Sequence, residues 1–395
     1  MSRYSPAPGD RARRALWHCV NAVLELIRKP LYRNRILLVT GDCPPEKSAE
    51  VEARLQFLFA HIGPVPQMHR AAYASPMDYL RNRAVAAVDS ASIPVRASRN
   101  LNWVADLDYD VNPSDGWSLM NLGSHLCRSQ LEAAIGTGRQ RLVQRVTELN
   151  SAGPRPVYLF GTGPSLGSAA DRSFSDGITV VCNTIVRDPE LWAHLKPDFF
   201  TAGDAIYHFG ANEHARAFRV DALRRLQESS GRTFFVYPAI FDVVVRSEFR
   251  SVEEVLIPIP WGSHRNSTVD LTRNFTLPHT GNVLNALLLP LGCTMSKDVR
   301  LWGFDGRGPT DTGFWANSAR HAYPELMQTI RDAHPAFFAE LIPPGKEGRY
   351  VTAVHGDALE QQLSAAEQQG FQFRMLHPSW TPTLHKRYQD GEDPR

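Results

Sequence analysis

The chain is poor in the features that mark secreted, metal-clipped or membrane-spanning proteins. Its 395 residues hold only five cysteines, Cys19, Cys43, Cys127, Cys182 and Cys293, with no CxxC pair among them. Such scatter excludes a disulfide framework and a zinc ribbon, and it fits a reducing cytoplasm. No apolar run reaches the roughly eighteen residues that a membrane-crossing helix needs. The apolar stretch 15–27 is broken by His18, Asn21 and Glu25, unlike the core of a secretory signal. The net charge of +2 makes no global field that would draw nucleic acid. Internal repeats and low-complexity tracts are absent.

The small net charge hides an asymmetry. Residues 1–35 carry eight Lys/Arg against two acids, so that segment is +6 and the remainder −4. Residues 1–10 read as disordered. Residues 11–35 read as one basic amphipathic helix, with Leu16, Val20, Val23, Leu24 and Ile27 near helical spacing. Such a helix either packs on its own domain or, with Trp17 set among arginines, lies at an anionic lipid surface. The expected location is cytoplasmic, with a peripheral position at the inner face of the membrane.

Three regions are expected: the helix 1–35, an accessory region 36–152, and a catalytic domain 153–395. In the accessory region Arg35–Thr40 reads as a buried strand and Glu46–His61 as an amphipathic helix. Residues 62–113 read as loop-rich, with prolines at 64, 66, 76, 94 and 113, and 115–150 as a helix. The SAGPRP turn at 151–156 is the expected boundary. Beyond it short apolar strands recur at Val157–Phe160, Gly177–Cys182, Phe199–Ala202, Thr233–Tyr237, Val299–Gly303 and Phe371–Leu376, with helices at 282–292 and 357–369. The rhythm is that of an α/β, Rossmann-like domain: a mostly parallel sheet with helices on both faces, preceded by a mainly helical α/β extension.

The first chemical signal is Gly161-Thr162-Gly163-Pro164-Ser165-Leu166, directly after a strand. A glycine-rich turn there lets backbone N–H groups approach a diphosphate or a ribose, and Thr162 and Ser165 add hydroxyls to the rim. The next strand ends at Asn183, where a dinucleotide fold carries an acid, and Leu166 stands where that fold carries Gly or Ala. Both choices point away from NAD. The absence of a following Gly-Lys-Ser/Thr excludes a P-loop.

The ordered series GTGPSL, VVCN, Asp204 after the third strand, a Thr-Gly helix start and a GFD strand end resembles the bacterial sialyltransferases of glycosyltransferase family 42. It is similar also to the motility-associated-factor proteins that transfer nonulosonic acids to flagellin. The resemblance covers roughly residues 155–380. It implies a GT-A-like variant of the Rossmann fold and a glycosyltransferase that moves a nonulosonic, sialic-type acid from a CMP-activated donor to a glycan or protein acceptor. It implies no metal and no bound cofactor, the CMP-sugar being a co-substrate, and a place in cell-surface polysaccharide biosynthesis.

By position, Gly161, Thr162, Gly163, Ser165, Asn183 and Asp204 would contact the donor. Thr280, Gly281 and Asn282, which open an apolar helix, would hold its phosphate and ribose; a plain helix cap is the other reading of that turn. His355, ahead of the helix 357–369, would be the general base. Asp305, at a strand's carboxyl end, would orient acceptor or donor, or cap a turn. In the long segment 308–323, Trp315, His321 and Tyr323 would form a lid together with Arg307, with a tyrosine hydroxyl stabilising the leaving phosphate. Asp106-Leu107-Asp108 has the DxD pattern that can share a hard cation, or it forms a solvated loop. Two other functions fit the same motifs: a pterin diphosphokinase of the GxGPS type using ATP and Mg²⁺, and a non-catalytic glycan-assembly protein.

Overall fold

The computed structural model describes residue 23 and residues 34–89, 92–93, 103–306, 308, 322–341 and 358–388. Apart from Val23, Asn34 and Arg35, the helix expected over 11–35 lies outside the described residues. The chain forms two compact units divided between Leu126 and Cys127.

The first unit holds strands β1 (Arg35–Val39), β2 (Gln67–Ala71), β3 (Ala84–Ala87) and β4 (Trp103–Asp106). They make one all-parallel sheet in the order β2-β1-β3-β4. Helix α1 (Pro45–Ala60) starts on a proline and buries Val51, Leu55, Leu58 and Phe59, the stripe that a 3.6-residue period puts on one face. Helices α2 (Pro76–Arg81) and α3 (Asp115–Leu126) complete it. The accessory region is therefore a sheet domain of its own, and three strands lie in the stretch 62–113 that reads as loop. β2, QMHRA, is a polar edge strand; β3, AVAA, is fully buried but alanine-rich and weak in β-propensity.

The second unit begins earlier than the 151–156 turn. The helical run 115–150 breaks at Cys127, and α4 (Arg128–Asn150) buries Leu142, Val146 and Leu149 in the second unit's core. Seven parallel strands follow in space as β11-β10-β5-β6-β7-β8-β9. They are β5 (Val157–Phe160), β6 (Ile178–Cys182), β7 (Phe199–Thr201), β8 (Phe234–Pro238), β9 (Leu256–Ile259), β10 (Asp298–Trp302) and β11 (Gln372–Met375). Central strands are buried throughout, as expected of a parallel sheet covered on both faces. Phe199, Phe200, Phe235 and Tyr237 are among its fully buried aromatics, each stabilising the fold by about 1.5–3 kcal/mol through burial. The edge strand β9, LIPI, carries Pro258, which hides it from propensity rules and which only an edge tolerates.

The chain runs from β5 outward to β9, then crosses back to lay β10 on the other side of β5 and β11 beyond it. The strand order thus reverses between β5 and β10. At such a reversal the connections leave the sheet in opposite directions and open a crevice at the carboxyl ends of the strands.

Candidate functional site

The loops after β5 and β10 meet at this crevice and are tied together. Register pairs Phe160 with Trp302 at the strand ends. Beyond them the Gly161 N–H donates to the Trp302 carbonyl and the Gly163 N–H to the Gly303 carbonyl, both at 2.8 Å. Asp305 completes the braid: its two carboxylate oxygens accept from the Ser165 N–H at 3.1 Å and the Ser165 hydroxyl at 2.9 Å. The Trp302 indole N–H donates to the Ser165 carbonyl at 2.8 Å.

This packing revises what the glycine-rich loop does. The N–H groups of Gly161, Gly163 and Ser165 are spent on the neighbouring loop, and that of Leu166 goes to the Gly163 carbonyl. They are not a nest for phosphate. A Cβ on Gly163 would run into the Asp305 carboxylate and come within 2.7 Å of the Gly303 oxygen; one on Gly161 would lie 2.5 Å from that oxygen. The glycines are required by loop-on-loop contact, and Gly303 itself sits at φ 78° against Gly161. Asp305 correspondingly anchors the loop through both oxygens, the capping alternative to its orienting a substrate.

Asn183 is a different matter. It directly follows β6 in the left-handed region, φ 51°, a conformation that costs a residue with a Cβ about 1 kcal/mol. Its side-chain oxygen is buried and has no hydrogen-bond partner among the described residues. β6 pairs with β5 in a register that sets Val181 beside Phe160, so Asn183 leaves the sheet beside the strand that carries the glycine-rich loop. A buried acceptor left without a partner at a strand's carboxyl end is what a ligand donor would satisfy, and backbone strain of this kind clusters at such sites.

The turn at 280–282 divides similarly. Asn282 is a plain cap, its side-chain oxygen accepting from the Asn285 N–H at 2.8 Å. It opens a helix whose first turn is the π-helical segment Leu284–Leu288, continued by α5 (Leu289–Met295). Leu287 packs over Gly203, just beyond β7, so this helix starts above the carboxyl edge of the sheet. Thr280 presents a buried hydroxyl oxygen without a partner among the described residues, and so does Thr201, the last residue of β7.

Other expected residues are engaged elsewhere. Asp204 caps its own turn: one oxygen accepts from the N–H groups of Ile206 at 2.7 Å and Tyr207 at 2.8 Å. Burial raises its pKa, opposed by those two N–H groups and by nearby His334. Tyr323 is buried and donates its hydroxyl to Asp221 at 2.6 Å, with the Arg187 guanidinium 4.8 Å from its ring centre. Desolvation pushes its phenol well above the usual range, so it is a packed anchor and offers no free hydroxyl to a phosphate. Asp108 is buried and pairs with Lys47 at 2.5 Å, while Asp106 accepts from the Asp108 N–H at 3.1 Å. The DxD is therefore an ion-paired strand end where a solvated loop was expected. No cluster of three or more His, Cys, Asp or Glu able to hold a metal occurs among the described residues. No helix among them is long and apolar enough to cross a membrane. Arg307, Trp315, His321 and His355 lie outside the described residues.

Sequence reasoning passes over His377. It stands two residues beyond β11, with its ring 4.1 Å centre-to-centre from Trp302, the last residue of β10. Its Nε2 lies 3.4 Å from the Ser168 hydroxyl, on the segment that continues the glycine-rich loop. The signal that finds it is positional: a titratable residue just past the carboxyl end of a strand, in RMLHPSW. No protein-family model matches the chain, and no curated protein or solved structure matches it.

Proposed function

We propose that the second unit is a glycosyltransferase domain that transfers a nonulosonic-type acid from a CMP-activated donor to a glycan or glycoprotein acceptor, without a metal. The observation that carries this reading is Asn183. A strained residue with a buried, unpartnered amide oxygen, beside the loop of a strand-order reversal, calls for a neutral hydrogen-bond donor. The hydroxyls of a ribose and the exocyclic amine of cytosine are such donors. The orphaned hydroxyl of Thr280 adds a second polar position on the same edge of the sheet. The order of motifs, from the GTGPSL loop through Asn183 to Thr280-Gly281, supports a CMP-sugar over a dinucleotide.

In this reading an acceptor hydroxyl attacks the anomeric carbon while the bond to the donor phosphate breaks and CMP departs. The protein acts at the cytoplasmic face of the membrane, with the basic residues 11–35 attracted to anionic lipid. Calorimetric titration with CMP, CDP and ATP·Mg²⁺ tests the donor class. Binding of CMP and CDP without metal is expected, with a loss of about tenfold or more in Asn183→Ala, the worth of one buried hydrogen bond. Binding of ATP only with Mg²⁺ would replace the transferase reading with a diphosphokinase.

A further inference from the structure

We infer that His377 takes the proton from the acceptor hydroxyl, the role that the family resemblance gives to His355. The inference rests on the transferase reading and adds to it the identity of the base.

His377 is placed where that proton would be released. The first half of the sheet, β5 and β6, carries Asn183, which would hold the nucleotide, with the glycine-rich loop as the wall behind it. The reacting end of a ligand lying across the reversal then falls over the other half, β10 and β11. His377 leaves β11 there. Its backbone is fixed by the neighbouring Leu376 N–H, which donates to the Leu301 carbonyl at 3.0 Å. Its ring is fixed against Trp302, whose indole is itself locked to the Ser165 carbonyl. The ring therefore rests between Trp302, at the end of β10, and Ser168, beyond the loop after β5, held by residues that are held in turn.

The hydrogen bonds also set its tautomer. Ser168 has one hydroxyl proton, which it donates to the Ser165 carbonyl at 2.8 Å. Toward the ring the Ser168 oxygen then accepts, an arrangement that favours the tautomer with its hydrogen on Nε2. Nδ1 then bears the lone pair and has no partner among the described residues. The charged groups that face the ring are Asp305, which favours its protonation, and Arg172, which opposes it. Burial opposes it most, and the net effect holds the pKa below the ordinary histidine value, so the ring is neutral and ready to accept at pH 7.

In the step itself the acceptor oxygen forms its bond to the anomeric carbon and loses its proton to Nδ1. The carbon–oxygen bond to the phosphate breaks and its electron pair leaves with CMP. The imidazolium then returns the proton to solvent.

The test is release of CMP from CMP-N-acetylneuraminic acid by the full chain, with water as acceptor, between pH 5 and 9. Wild type is expected to turn over, with kcat/KM falling tenfold per pH unit below a pKa under 6.5. His377→Gln should lose on the order of 10²–10⁴-fold in kcat, lose the acidic limb, and bind CMP within threefold of wild type. Retained CMP binding shows that the variant is folded. His377→Asn, which also keeps an amide near Ser168, provides a second variant. Two results overturn the assignment alone: turnover by wild type with an unchanged acidic limb in His377→Gln, or a comparable loss confined to His355→Ala. A wild-type chain inert toward this donor overturns the transferase reading and the assignment with it.

Discussion

Removing the Asp305 side chain separates an anchoring role from a ligand-binding one. In Asp305→Ala the Ser165 N–H and hydroxyl both lose a charged acceptor, bonds of 3.1 and 2.9 Å. Hydrogen bonds to charged groups contribute about 1.5–3 kcal/mol each. The site is half-open to water, which returns part of that, so the net loss is expected at about 3 kcal/mol. For a unit of this size each kcal/mol lowers Tm by about 2–4 °C, which sets the expected drop at about 6–12 °C by differential scanning calorimetry. Ser165→Ala removes only the hydroxyl bond and should cost about 1 kcal/mol. The double variant should fall short of the sum by about 0.5–1.5 kcal/mol, because the two residues share one contact. Strict additivity, with a stability loss under about 1 kcal/mol and a hundredfold loss of CMP affinity, would refute the reasoning. Asp305 would then face the ligand, and the loop would be held by something else.

Three further outcomes are expected. Asn183→Gly relieves the left-handed strain and deletes the orphaned amide, so thermal stability should hold or rise while CMP affinity falls at least about tenfold by calorimetry. Tyr323→Phe strips Asp221 of its hydroxyl donor and should cost about 1–2 kcal/mol in urea denaturation, with donor affinity unchanged. The pH dependence of stability should carry the mark of buried His208, whose pKa burial lowers to about 3. Below about 6.5 the unfolded chain binds a proton there that the folded chain refuses, so stability falls as pH falls, by up to about 1.4 kcal/mol per unit. Between pH 6.5 and 5 wild type should therefore lose about 1.6 kcal/mol more than His208→Gln; parallel curves would show that His208 titrates alike in both states.

What was legible in the sequence was set by burial. β1, β5, β6, β8 and β10 are runs of branched and aromatic residues, because a parallel sheet covered on both faces asks for them. The strands that went unread are those where another demand prevails. β2 and β4 lie at the two edges of their sheet, β2 with polar side chains and β4 short and ending on Asp106; β3 is built from small alanines, and β9 tolerates Pro258 because no described strand pairs with its outer side. The break at Cys127 carries no proline or glycine between Ser124 and Ala134 to mark it, so only the core that α4 joins reveals which unit owns it.

The glycine-rich loop shows where local reading ends. GTGPSL announces a close backbone approach, and a close approach exists, but the approaching atoms belong to the loop after β10, some 140 residues further along the chain. Nothing within the loop distinguishes a phosphate from a neighbouring carbonyl, since glycine answers both in the same way. The distinction lies in where the N–H groups go. Once those of Gly161, Gly163 and Ser165 are accounted for, polar atoms without a partner among the described residues include those of Asn183, Thr201 and Thr280 along the carboxyl edge, and His377 stands across the reversal. The loop thus shapes the crevice from behind, and recognition falls to side chains that each look ordinary in sequence. Substituting Gly163 should accordingly disturb stability and affinity together, whereas Asn183 should disturb affinity alone, and that contrast separates a wall of the site from its contents.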